Sequence, residues 1–202
     1  MINPDVVGIS PEIKGKKRRI RIWPKDSEVL HTPCEPITEF DEELHVLIAD
    51  MFATLLELTE GVALAANQIG VSKRLFVAHM PYHSEIMPDS PTATPEYGTS
   101  FFDYVCINPE IIRFDTKYPY GYDEGCLSLP GYYEYKKRPS PIKLRYFDPI
   151  GNKHEKMLYG FEAFAIQHEM DHLDGKLFID GYSNLKLDKV KRVIKKKGKR
   201  LG

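Results

Sequence analysis

Gln167-His168-Glu169-Met170-Asp171-His172 is the stretch from which the rest of the chain can be read. It has the form H-E-x-x-H, two histidines four residues apart with a glutamate directly after the first. Residues four apart on a helix lie above one another on one face, so both imidazoles can reach a single metal ion, and the glutamate stands close enough to take a proton from water at that ion. The flanks support a helix: Phe161, Phe164, Ala165, Ile166 and Leu173 fall near helical spacing, and Gly175 is a stop signal. The rival reading is a helix that carries two core or surface histidines.

The 202 residues, 42% hydrophobic and 28% charged, suit one domain with a real core, spanning residues 1–202. Net charge is −1, which in bulk implies no nucleic-acid partner and no DNA. Its distribution is uneven, because residues 186–202 hold nine Lys or Arg against one Asp and the body before them is acidic. Three cysteines, Cys34, Cys106 and Cys126, are too few and too odd in number for a disulfide framework. No apolar run has signal-peptide or membrane-spanning length. These features together predict a cytoplasmic protein without a membrane partner.

Along the chain, Ile20 and Ile22 suggest a short edge strand, and the Pro-rich stretch 23–36 an extended loop. His31 and Cys34 in that loop are not expected to bind metal. Residues 38–59 read as a core helix capped by Thr38, with acids in its first turn and a stripe of Leu44, Leu47, Ile48, Met51, Leu55 and Leu58; His45 lies off the stripe and reads as solvated. Residues 61–70 are small and end around Gln68, as tight packing or close approach of a ligand requires. A strand is predicted at 75–78 and a surface insertion at 79–100. Pro81 between His79 and His83 argues against a shared metal there. Residues 104–112 are strand-like but broken at Asn108-Pro109. Residues 142–147 and 153–159 form a hairpin about the turn 148–152. Residues 177–179 suggest a short strand, and 184–202 a basic helix and tail.

A catalytic metal site of this kind keeps three protein ligands and one open position. No Glu follows Glu169, no His follows His172, and the remaining Asp residues lie in no recognisable ligand motif, so the third ligand is better sought upstream. Cys126, in Asp123-Glu-Gly-Cys-Leu-Ser-Leu-Pro130, sits in a polar turn rather than among aliphatics, where a structural thiol normally hides, so this stretch alone leaves a ligand or nucleophile role and a packing role equally open. It is the best candidate.

Gly61-V-A-L-A-A-N-Gln68, Glu124-G-C-L-Ser128 and Gln167-H-E-M-D-His172 stand in the order that defines peptide deformylase, and the chain resembles that family over roughly residues 20–185. The resemblance implies an α+β fold, antiparallel sheets surrounding a central metal-binding helix, with a core helix before it and a basic one after. It implies that Cys126, His168 and His172 bind one divalent ion, Fe²⁺ natively, with Zn²⁺, Ni²⁺ or Co²⁺ able to substitute. The reaction implied is hydrolysis of the formyl group from N-terminal formylmethionine of new polypeptides, releasing formate. Glu169 would serve as general base and then acid, and the Gln68 amide and Leu127 N–H as oxyanion donors. Val62, Tyr122, Phe161, Phe164 and Ala165 would form the methionine slot. The backbone at 62–63 and at Gly125 would pair with the peptide as an added strand. Glu124 and Asp171 are candidates for orienting the ligands.

The chain departs from the pattern at Ala63, where the family usually has Gly and an added methyl could crowd the substrate, and at Tyr133, where many bacterial members carry Arg. The insertion is absent from compact members. Two other classes of reading remain: an H-E-x-x-H peptidase, disfavoured by the missing downstream ligand, and a non-catalytic binding protein acting through its basic tail, which could touch ribosomal RNA. The plainer reading of that tail is a solvated face.

Overall fold

The computed structural model describes residue 10 and residues 12–58, 61–81 and 101–198. Its centre is a five-stranded antiparallel sheet in the order β1-β2-β3-β6-β7, made of β1 (Ala63–Ala65), β2 (Leu75–Pro81), β3 (Phe101–Phe114), β6 (Ile142–Phe147) and β7 (Lys153–Leu158). A separate two-stranded ribbon pairs β4 (Tyr120–Gly125) with β5 (Tyr133–Arg138). The helices are a single turn, α1 (Ser27–Leu30), then α2 (Glu42–Leu55), α3 (Gly160–Leu173) and α4 (Asn184–Gly198).

Strand β2 shows why the layers form. Successive side chains of a strand point to opposite faces. Leu75 and Val77 enter one apolar cluster with the α2 stripe, Leu44, Leu47, Ile48, Met51 and Leu55. Phe76, Ala78 and Met80 enter a second with Ala163, Ala165, Ile166 and Leu173 of α3. The sheet is therefore covered on both faces, α2 on one and α3 on the other. A helix buried on more than one side need not be strongly amphipathic; in α3 the polar Gln167, Glu169 and His172 are buried as well as the apolar positions. Gln167 is satisfied by donating to the carbonyls of Ala163 (2.7 Å) and Pro139 (2.9 Å).

Several sequence expectations need correction. Residues 20–22 are not a strand; Arg21 N–H donates to the Gln68 carbonyl at 2.7 Å from otherwise irregular chain. The loop 23–36 contains the turn of helix α1. The cap of α2 is Asp41, whose carboxylate accepts from Leu44 N–H at 2.9 Å, and not Thr38. His45 is half-buried and donates to the Pro149 carbonyl at 3.0 Å. Residues 177–179 are a turn, held by Leu177 N–H to Asp180 Oδ2 and Asp180 N–H to the Leu177 carbonyl, each 2.9 Å. Strand β3 runs through Asn108-Pro109 with a register shift. Asn108 takes φ +48°, a conformation Asn tolerates better than most residues, and its side chain bonds both N–H and C=O of Ile37. Residues 79–81 of the expected insertion are the end of β2; residues 82–100, His83 among them, lie outside the described residues.

The basic C-terminal stretch is a docked helix over Asn184–Gly198. Val190 and Ile194 are buried in a third cluster with Trp23, Leu30, Leu129, Tyr132 and Phe178. At its start Lys186 pairs with Glu134, whose other carboxylate oxygen accepts from the hydroxyls of Tyr132 and Tyr182, each at 2.7 Å. Partial burial would raise the Glu134 carboxyl, but these hydrogen bonds outweigh it and hold it at about 2 against an ordinary 4.5. A carboxyl depressed on folding contributes stability above its unfolded value and loses it as pH falls through the folded one. The melting temperature of Glu134→Gln is therefore expected to lie below that of the parent near neutral pH, with the gap closing between pH 4.5 and about 2. Thermal melts across that range check this; a gap that does not change with pH would contradict it.

Candidate metal centre and substrate cleft

Cys126, His168 and His172 come together although 42 residues separate the first two in sequence. One ligand atom from each lies within 4.8 Å of the others, and Cys126 Sγ stands 3.2 Å from His172 Nε2. Among the described residues this is the cluster of three that could hold an ion. Atoms sharing a tetrahedral ion with bonds of about 2.0–2.3 Å stand about 3.5 Å apart, so the set is close to ligating dimensions before any ion is considered. A thiolate and two imidazoles suit a borderline-soft divalent cation. His172 Nδ1 and Glu169 Oε2 are buried with no protein partner among the described residues, the mark of a polar centre rather than a packed core. The residues present fit a metal.

Each ligand is placed by its element. The two histidines are presented by α3, their rings edge to face with centroids 4.9 Å apart. Cys126 follows β4 directly, in a turn closed by Leu129 N–H to the Cys126 carbonyl at 2.9 Å. The Nδ1 of His168 bonds Glu124 Oε1 at 2.5 Å, which turns Nε2 away from that carboxylate toward the sulfur side. Burial disfavours a charged His168, but the Cys126 sulfur and the Glu124 carboxylate outweigh it; burial and the neighbouring His168 keep His172 neutral.

Glu169 is 4% exposed. Burial pushes its carboxyl up to about 7, against the pull of positive charge on His168 and Arg138. The Gln68 carboxamide is oriented by its own oxygen, which accepts from Ala65 N–H at 2.9 Å; its nitrogen then points to Ser128 Oγ (3.2 Å) and Cys126 Sγ (3.5 Å). Gln68 sits in a 3-10 turn (Ala66–Ile69) that ends at Gly70, φ +86°, a left-handed cap for which glycine is the default residue.

Val62, Ala63, Gln68, Tyr122, Gly125, Cys126, Leu127, Phe161, Phe164, Ala165, His168 and Glu169 all line one cleft of about 1260 Å³. His172 lies behind them, 1% exposed. Tyr122 packs on Phe161 and Phe164 with ring centroids 4.9 and 5.9 Å apart, and Tyr120 extends the aromatic wall. The methyl of Ala63 belongs to the apolar cluster of Phe76, Ala78 and Ala165 as well as facing the cleft. Strand β1 ends its sheet and β4 has one partner, and both line the cleft. A carbon added at Gly125 would fall 2.5 Å from the Tyr133 ring, so that ring covers Gly125 directly.

Arg138 was not singled out by the sequence. It lies in the basic run Lys136-Lys-Arg138, which carries no local signal of burial, and pairing of β4 with β5 brings it inward. Its guanidinium bonds Glu124 (2.6 Å) and Asp171 (2.8 Å) and lies over the Phe164 ring, 5.5 Å from the centroid. Asp171 thus holds Arg138 in the structure, while Glu124 contacts the His168 ring. Burial would raise the Glu124 carboxyl, but His168 and Arg138 outweigh it and lower it. Removing one partner of a buried pair leaves the other charge uncompensated, at a cost of about 3–5 kcal/mol, and loosening a carboxylate that orients a ligating histidine weakens metal binding about 10–100-fold. Arg138→Met is expected to show both, as a lowered melting temperature and a raised metal dissociation constant. Parental values for the two would show that the bridge does neither job.

The other candidate ligands stay apart. His31 bonds Asp180 at 3.1 Å and Cys34 is buried. His79 pairs with Asp103 at 2.7 Å.

A sulfur and two ring nitrogens about one point, with a buried carboxylate beside them at the head of an aromatic cleft, define a mononuclear metallohydrolase type of centre. The family profile described as Polypeptide deformylase matches residues 18–188. A peptide deformylase of Rhizorhabdus wittichii is 42% identical over 168 residues, covering 83% of this chain and 88% of that protein. One of Cellvibrio japonicus is 38% identical over 170 residues, with 84% and 90% covered. Crystal structures of peptide deformylases from Ehrlichia chaffeensis and Legionella pneumophila superpose with TM-scores of 0.76 and 0.72 at 34% and 37% identity; each alignment covers 91% of this chain, and 97% and 96% of theirs. The chain belongs to the polypeptide deformylase family, which is metal-dependent.

Proposed function

We infer that this protein hydrolyses the formyl group from the N-terminal formylmethionine of newly made polypeptides, giving formate and a free amine. The observation that carries the reading is the convergence of Cys126, His168 and His172 with Glu169 and Gln68 at one end of the cleft. The three ligands would hold one divalent ion, Fe²⁺ as the native metal, with Zn²⁺, Ni²⁺ or Co²⁺ able to substitute. When bound, the ion acts as a Lewis acid that brings the pKa of water toward neutrality.

The chain's own residues supply the rest. Glu169 accepts a proton from the attacking water and delivers it to the departing nitrogen, a task suited to a carboxyl poised near working pH. Gln68 Nε2–H and the Leu127 N–H donate to the oxyanion that forms on the formyl oxygen; one such donor is worth about 3 kcal/mol in the transition state. Val62, Tyr122, Phe161, Phe164 and Ala165 bury the methionine side chain. The backbone at 62–63 and at Gly125 pairs with the peptide between β1 and β4.

No helix among the described residues is long and apolar enough to cross a membrane. A cytoplasmic place beside the ribosome suits a substrate that is a nascent chain, and the basic face of α4 is the surface to meet ribosomal RNA. Formate release from formyl-Met peptides by anaerobically purified protein tests the activity, oxygen being excluded because thiolates oxidise. Cleavage of internal bonds in unformylated peptides, with no formate, would contradict it.

A further inference from the structure

We propose that residues 15–23 form a fixed strap that supplies a second, aliphatic wall of the substrate cleft, where Ile20 and Ile22, with Leu127 and Ile194, take an aliphatic side chain from the residue that follows formylmethionine. The proposal rests on the deformylase reading above. Ile20, Ile22, Leu58, Leu127 and Ile194 line the same cleft as the metal ligands. Its volume of about 1260 Å³ exceeds the usual span of small-ligand sites, about 300–1,000 Å³, and so leaves room for peptide beyond one side chain. Successive side chains of a strand point to opposite faces. With methionine against Tyr122, Phe161 and Phe164 and the peptide running as an added strand, the next side chain turns away from that aromatic slot. The aliphatic residues line the cleft outside the slot.

The strap is tied at both ends. At the first it rests on α2. A carbon added at Gly15 would fall 1.9 Å from the Ala49 carbonyl oxygen, so the backbone lies directly on the helix. The Asp50 carboxylate, 1% exposed, accepts from Lys16 N–H at 2.5 Å and from the Arg18 guanidinium at 2.6 and 2.7 Å, and Thr54 Oγ1 accepts from Arg18 N–H at 2.9 Å. At the second end Arg21 N–H donates to the Gln68 carbonyl at 2.7 Å and Trp23 N–H to the Ser128 carbonyl at 3.1 Å. Both acceptors neighbour the metal centre, since the Gln68 amide nitrogen points to Ser128 Oγ and Cys126 Sγ. Ile20 and Ile22 stand among these ties and both reach the cleft, whereas the Arg21 guanidinium between them lies against Gly70. Ile20 packs on the cluster of α2 and Ile22 on that of α4. A wall held this firmly discriminates by size and polarity, because overfilling a packed site is costly. The family profile begins at residue 18, so Gly15 and Lys16 of the first tie precede the matched part of the chain.

The test compares kcat/KM for formyl-Met-Xaa-Ser with Gly, Asn, Leu or Phe as the second residue. The parent is expected to prefer Leu over Asn, a polar side chain of similar shape, by about four- to tenfold, the worth of half-burying a Leu. Ile22→Ala enlarges the wall's hollow and should raise the Phe-to-Leu ratio; Ile22→Phe fills it and should lower that ratio. Each shift is expected to be about fourfold, the worth of one buried methylene. Each preference is a ratio within one protein, so partial unfolding of a variant does not imitate it. Gly15→Ala pushes the strap off α2 without entering the cleft; it should bring the Leu-to-Asn ratio toward one while the formyl-Met-Gly-Ser rate stays parental. Leu185→Ser removes an aliphatic side chain that is 77% exposed and should leave every ratio as in the parent. No Leu preference in the parent, shifts of the same sign in the two Ile22 variants, a parental ratio in Gly15→Ala, or a shift in Leu185→Ser would overturn the assignment. A parent protein that releases no formate even from formyl-Met-Gly-Ser would instead sink the deformylase reading on which it rests.

Discussion

Glu169→Ala is expected to retain its metal and to lose formate release by about 10²–10⁴-fold, the usual contribution of a positioned acid–base group. The side chain is not among the ligand atoms that cluster, so stoichiometry by elemental analysis should match the parent. It is buried with one carboxylate oxygen unpartnered, so trimming it removes a charge that burial opposes, and the melting temperature should not fall as it does for a broken ion pair. KM for formyl-Met peptides should change little, because the methionine slot is built from other residues. Turnover undiminished in this variant would remove Glu169 from its assigned role.

Cys126→Ala should have the larger effect on the site itself. It takes away the one sulfur in a set of three donors and leaves two imidazoles from one helix, which bind a divalent ion much less tightly. Metal content after dialysis should fall to a small fraction of the parent, with activity falling in step. The fold should persist, since Cys126 is half-exposed and packs only at the border of the cluster around Leu129 and Phe178. An alanine variant that keeps a full complement of metal would place the third ligand elsewhere.

The parts of the molecule that the sequence made legible are those whose signal is local. The His168–His172 spacing, the Leu44-to-Leu55 stripe and the hairpin about Asp148–Asn152 each depend on residues within a turn or two of one another, and the structure has all three. The joining of Cys126 to the histidines needed three motifs in order, since no local pattern links a turn after β4 to a helix 42 residues on. Strand β5 went unread because Tyr133–Arg138 is paired only to β4 and the face that carries Tyr133 and Tyr135 is exposed, so its alternation has no buried apolar side. The run Leu177-Phe-Ile179 misled in the other direction: its side chains are apolar because they fill the cluster under α4, while Asp180 closes their backbone into a turn. Arg138 escaped because it sits in a basic run, and whether a Lys or Arg in such a run faces solvent or the interior is decided by packing that the run does not encode.

The centre at Cys126, His168 and His172 is best tested by X-ray absorption at the metal edge of anaerobically loaded protein. The account predicts one sulfur scatterer at about 2.3 Å with nitrogen or oxygen neighbours near 2.0–2.2 Å, the sulfur contribution vanishing in Cys126→Ala reloaded with excess metal. A first shell of nitrogen and oxygen alone in the parent protein would contradict it.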